Sequence, residues 1–187
     1  MVEPVTLVSP TDSVLPRLRV DVSVVPTTTG AERAMGLLSK QEAETADRFR
    51  FSRDRNRYII AHAALRLILA RRLRERPWQI TLGAGSFGKP KVAGLEFNLS
   101  HSGDLALVAI GAVALGVDIE RIKDIDVVAL AEHQLSFVEV KALRAVAPSK
   151  LRNAFFSCWT RKEAFVKATG DGLGRAFDEF DVSVGDE

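Results

Sequence analysis

The chain has 187 residues and a formal net charge of +2, with 47% hydrophobic and 27% charged residues, so it can bury a real core as one domain or two small ones. A single cysteine, Cys158, excludes an internal disulfide, and the longest apolar stretch, Ile59 to Ala70, carries His62 and Arg66 and is too short to cross a bilayer. Met1-Val2-Glu3-Pro4 lacks the charged start and apolar run of a signal peptide, so the expected location is cytoplasmic.

In chain order, Leu18 to Val25 reads as a strand. Ser39-Lys40-Gln41-Glu42 is a capping box opening a helix toward Arg48. Apolar residues at helical spacing (Ile60, Ala64, Leu67, Ile68) predict a helix from Arg53 to Glu75, closed by Pro77. Asp47 to Arg76 holds ten arginines against Asp47, Asp54 and Glu75, a solvated helix face or a basic face for an anion. It has neither the interleaved aromatics nor a motif of a nucleic-acid binder.

Trp78 to Leu82 predicts a short strand and Gly83 to Pro90 a glycine-rich loop. Three strands follow, Glu96 to Leu99, Leu105 to Ile110 and Ala114 to Glu120. A second capping box, Ser136-Phe137-Val138-Glu139, opens a helix ending before Pro148. Another helix runs from Ser149 to Ala168 and stops at Gly170, and Phe177 to Val184 reads as a last strand. The order is mixed α+β, with two halves, residues 1–95 and 96–187, that echo each other weakly.

Gly83-Ala84-Gly85-Ser86-Phe87-Gly88 matches G-x-G-x-x-G, but Pro90 follows and no helix opens, which excludes a dinucleotide loop. Gly88-Lys89-Pro90 is a turn that presents a lysine. Ser100-His101-Ser102 ends a strand, where the side chains either serve the fold or donate to phosphate oxygens. Ser100 and His101 point to opposite faces and do not form a dyad, and the three histidines lack zinc spacing. Asp118 and Glu120 share a strand face, either solvated beside Arg121 and Lys123 or holding a cation. Glu163 and Lys167 lie one helical turn apart on a face that also carries Phe156 and Trp159. Three carboxylates and a lysine suit a hard divalent cation and a phosphate-bearing substrate.

Gly88-Lys89-Pro90, Phe97-Asn98-Leu99-Ser100-His101-Ser102, Gly116-Val117-Asp118-Ile119-Glu120, and Trp159 to Lys167 with Gly170-Asp171-Gly172-Leu173 occur in the order of one family. The ordered set resembles the Sfp-like 4′-phosphopantetheinyl transferases, with weaker similarity from Arg48 to Arg66. The resemblance implies a pseudo-dimeric α+β fold of two similar α/β halves with the active site at their junction. It implies Mg²⁺-dependent transfer of phosphopantetheine from coenzyme A to a serine of an apo acyl or peptidyl carrier protein, releasing 3′,5′-ADP. By that resemblance Asp118, Glu120 and Glu163 would hold Mg²⁺ against the pyrophosphate. Lys89, Ser100 and His101 would contact the coenzyme A phosphates, with Arg48 and Arg57 as further partners and Lys162 and Lys167 near the pyrophosphate.

Glu163 is the expected base, directly or through a metal-bound water, and Lys167 would assist the leaving group. The expected partners are the carrier and coenzyme A, with no nucleic acid or membrane, and the expected state is a monomer. Family members commonly continue past the strand matching Phe177–Val184, so the expectation at Glu187 is either a missing tail or a compact member. Two rival readings are a non-catalytic coenzyme A- or carrier-binding module and a Mg²⁺-dependent nucleic-acid enzyme using the arginine-rich helix.

Overall fold

The computed structural model describes residues 19–85 and 88–185. Its central element is a three-stranded antiparallel sheet in the order β1 (Asp21–Pro26), β5 (Leu105–Gly111), β4 (Glu96–Ser102). The middle strand β5 reads Leu-Ala-Leu-Val-Ala-Ile-Gly and is buried on both faces from Ala106 to Gly111, which accounts for its unbroken apolar run. The sheet joins the two sides of residue 95, because β4 and β5 sit beside β1.

One face of the sheet packs on α3 (Ser52–Leu73), where Leu65, Leu69 and Ala70 meet Phe97, Val108 and Ile110. Two short helices, α1 (Ala31–Met35) and α2 (Lys40–Asp47), pack on the start of α3 around Leu38, Ala46, Ile59 and Ala63. The other face of the sheet, Leu107 and Ala109, is covered by Leu115 and Val117. Behind these lie α4 (Val127–Gln134), α5 (Phe137–Arg144) and α6 (Pro148–Thr169), joined through Ala131, Leu143, Phe155 and Phe156.

Both capping boxes form, at Ser39/Glu42 and Ser136/Glu139. The long helices match their sequence patterns within a residue or two, and Gly170 (φ 76°) ends α6 in the left-handed region. The mixed α+β class is as expected. Helices α1 and α4 were not expected from the sequence.

Three predicted strands are not strands. Trp78 to Leu82 begins instead in a 3₁₀ turn, Pro77–Gln79, where buried Arg66 of α3 donates to the Pro77 carbonyl at 2.7 Å and the Ile80 carbonyl at 3.1 Å. Phe177 to Val184 holds a 3₁₀ turn, Phe177–Glu179, followed by irregular chain. Ala114 to Glu120 is irregular apart from a single bridge at Gly116. In the last two cases side chains take up the backbone groups that a neighbouring strand would have served. The glycine-rich loop is pinned by a short hairpin, β2 (Gly83–Ala84) with β3 (Pro90–Lys91), and opens no long helix; Ser86 and Phe87 lie outside the described residues.

Candidate active site

The period of two along β4 turns Asn98, Ser100 and Ser102 to one side. Each accepts a backbone N–H from the segment after β5. Val117 donates to Asn98 Oδ1 (2.9 Å), Ile119 to Ser100 Oγ (3.3 Å) and Arg121 to Ser102 Oγ (3.0 Å). The spacing is 19 residues in all three, so a row of β4 side chains holds residues 117–121 in register. The same hydroxyls then turn to the carboxylates. Ser100 Oγ donates to Asp118 Oδ1 at 2.7 Å and Ser102 Oγ to Glu120 Oε2 at 3.0 Å.

Helix α6 supplies the opposite wall. Gly116 abuts it so closely that a Cβ there would lie 1.9 Å from the Ala164 carbonyl oxygen and 2.5 Å from the Ala168 nitrogen. Only glycine allows this approach. It brings Lys167 Nζ to 2.5 Å from Asp118 Oδ1 and 3.2 Å from Ser100 Oγ. Asp118 is buried, and its second oxygen, Oδ2, has no hydrogen-bond partner among the described residues.

Glu163, one turn before Lys167, is half-buried beside this pair. Burial pushes its carboxyl pKa above the usual value; Lys167 opposes that shift, while Asp118 and Glu120 add to it. Glu163 is therefore near enough to Asp118 and Glu120 to be repelled by both. Among the described residues the three carboxylates do not close into a ready-made metal cage.

Lys89 reaches the same place from the β2–β3 hairpin, donating to the Lys167 carbonyl at 2.7 Å and the Leu115 carbonyl at 3.0 Å. Its half-burial lowers its pKa, with Glu96 acting against the shift and Lys91 with it. A cleft of about 550 Å³ opens beside the cluster, lined by Lys89, Asn98, Trp159, Glu163, Lys167 and Arg175, among others.

The structure thus gathers Ser100, Asp118, Glu120, Glu163, Lys167 and Lys89. His101 faces away from Ser100 at the end of β4. Partial burial of its ring lowers its pKa although the residue is exposed overall, and His62 and Lys167 push the same way against Glu120. Arg57 pairs with Asp104 at 2.5 Å, and Arg48 lies exposed at the end of α2.

Lys162 is not in this cluster. It is wholly buried, 2.8 Å from Glu139 and 2.6 Å from the Phe177 carbonyl, with the Phe180 ring 4.2 Å away. The sequence assigns no role to Asn98 or Gly116 and offers Ser102 as serving the fold or donating to phosphate, not as the acceptor that holds Arg121. The two-residue period through Ser100 was the signal for Asn98 and Ser102, but nothing local marks Gly116 as a contact with α6.

The comparisons with known proteins cover almost all of this framework. Residues 24–112 match the family model "4′-phosphopantetheinyl transferase, N-terminal", and residues 114–187 match the model "4′-phosphopantetheinyl transferase superfamily". A 4′-phosphopantetheinyl transferase of Bacillus subtilis is 31% identical over 166 residues, 87% of this chain and 74% of that protein. HetI of a Nostoc species, also named as such a transferase, is 36% identical over 155 residues, covering 79% of this chain and 65% of its own length. Sfp of Bacillus subtilis strain 168 is 30% identical over 156 residues, with 82% and 69% covered. With family models matching residues 24–112 and 114–187 and relatives at 30% identity or more, the chain belongs to the Sfp-like family of 4′-phosphopantetheinyl transferases.

Proposed function

We propose that the chain transfers 4′-phosphopantetheine from coenzyme A to a serine hydroxyl of an apo acyl or peptidyl carrier protein, releasing 3′,5′-ADP, with Mg²⁺ as the metal. The observation that carries the reading is the convergence of Asp118, Glu163 and Lys167 beside an open cleft. We also take the two halves as a pseudo-dimeric arrangement with this cluster at their junction.

The residues present fit a hard divalent cation. Asp118 Oδ2 is a buried oxygen without a partner among the described residues, and the repulsion that Asp118 and Glu120 exert on Glu163 is what a cation relieves. Asp118, Glu120 and Glu163 would hold it, and when bound it would neutralise pyrophosphate charge as a Lewis acid.

Attack of the carrier serine on the β-phosphorus needs a base, a positioned acceptor and stabilised negative charge. Glu163 takes the serine proton as the general base. Lys167 leaves Asp118 for the pyrophosphate and supports the departing 3′,5′-ADP. His101, with Arg48 and Arg57, receives the 3′-phosphate. The serine comes from the partner, so the chain needs no nucleophile of its own.

The test is incubation with coenzyme A, Mg²⁺ and an apo-carrier, read by carrier mass. An unchanged mass sinks the proposal. Asp118→Ala and Glu163→Ala should abolish transfer, while His101→Ala should mainly weaken coenzyme A binding. Equal and small effects from all three would refute the assigned roles.

A further inference from the structure

We infer that Lys89 is a positioning residue, whose ammonium joins the start of the carboxylate segment to the end of α6 and so sets Asp118 and Glu120 against Glu163 and Lys167. Its two acceptors, the carbonyls of Leu115 and Lys167, come from elements far apart in sequence. The Lys167 carbonyl is among the last four of α6, which lack a donor from a following helical turn, and Gly170 N donates to the Val166 carbonyl instead. A cation at this end also meets the negative pole of the helix. Leu115 directly precedes Gly116, whose close approach to Ala164 leaves no slack between the two elements.

Lys89 itself is held. Gly85 N donates to its carbonyl at 2.7 Å, and a Cβ at Gly85 would fall 2.6 Å from that oxygen. The hairpin therefore delivers the ammonium to a fixed place. With two of its three donors on protein carbonyls, Lys89 acts through the geometry of the carboxylates rather than as a ligand of the substrate phosphates.

The inference rests on the transferase reading for its kinetic test and not for its structural one. In the structural test, amide hydrogen exchange is compared between wild type and Lys89→Met in the full chain. Exchange at Val117 and Ile119 should quicken by about tenfold or more, while amides of β5 keep their rate. Wild-type exchange at Val117 and Ile119 would overturn the inference.

In the kinetic test, kcat should fall by on the order of a hundredfold with KM for coenzyme A within about threefold, as expected for misplaced catalytic groups. A KM raised by about tenfold with unchanged kcat would mean direct phosphate contact and would overturn it. Aminoethylation of Lys89→Cys, which restores an ammonium at nearly the same reach, should recover both readouts. If Lys89→Met does not fold, Lys89→Gln keeps one amide donor and carries the same comparison. A wild type that transfers nothing to the carrier removes the function proposed above and leaves amide exchange to decide the role of Lys89.

Discussion

Lys167 Nζ lies 2.5 Å from Asp118 Oδ1, and the other oxygen of that buried carboxylate has no partner among the described residues. Under the function proposed above, this ammonium and the divalent cation would compete for the same carboxylate. Lys167→Met leaves Asp118 with only Ser100 and should destabilise the fold by about 3 kcal/mol. Asp118→Asn added to it should recover part of the loss, a coupling that a double-mutant cycle measures. Added Mg²⁺ should raise the melting temperature more in Lys167→Met than in wild type, because no lysine competes for the carboxylate. An equal rise in both proteins would mean that the metal does not bind at Asp118.

Gly116→Ala tests the closest approach in the site. The new methyl would collide with the backbone of α6, which cannot swing aside as a side chain does. We expect a loss of about 3 kcal/mol, a fall of roughly 6–12 °C in Tm, and no transfer activity. Gly94→Ala is the control: that glycine has positive φ (77°), which Gly116 has not, but its Cβ would meet nothing within 4 Å. It should cost less stability and retain activity.

Alternation correctly aligned Asp118 with Glu120 and separated Ser100 from His101, and helical spacing aligned Glu163 with Lys167. Alternation also predicted strands at 114–120 and 177–184, where extended pieces are held by side chains. Asn98, Ser100 and Ser102 serve the first piece. Lys162, Arg161 and Glu139 serve the second, at Phe177, Ser183, Gly185 and Val182. A hydrophobic pattern reports which face is buried, but it does not identify the hydrogen-bond partner of the backbone. Lys162 was misread for a related reason. Its neighbours Arg161 and Glu163 point elsewhere around the helix, and sequence alone does not reveal that Glu139 waits behind it.

Lys162 and Glu139 form a fully buried ion pair, with side-chain exposures of 0% and 1%. Removing one partner of such a pair costs about 3–5 kcal/mol, because the other charge stays buried. Lys162→Met should therefore lower Tm sharply while leaving KM for coenzyme A unchanged in whatever folded fraction remains. A raised KM with wild-type Tm would place Lys162 at the pyrophosphate instead.

Cys158 should be inert in the folded chain. Burial, with Glu139 adding to it, pushes its thiol pKa up to about 12, so almost no thiolate exists near neutral pH. A thiol reagent should label the native protein only at the rate of unfolding and should label it at once in denaturant. Rapid native labelling would contradict the burial of this face of α6.

Glu42 gives the fold a definite acid limit. Burial opposes its ionisation, but hydrogen bonds with His62, Ser39 and Arg66 outweigh burial and bring its pKa from 4.5 down to about 2. A carboxyl with a depressed folded pKa binds its proton more weakly in the folded chain than in the unfolded one. Its contribution is present in full above pH 4.5 and is lost as pH falls toward 2. The shift corresponds to about 3 kcal/mol. Denaturant unfolding measured from pH 6 to pH 2 should show this loss in wild type. Glu42→Gln should be less stable at pH 6 and show a flatter acid limb, since Arg66 and His62 then face a neutral partner. Parallel acid limbs in the two proteins would mean that other carboxylates set the acid limit.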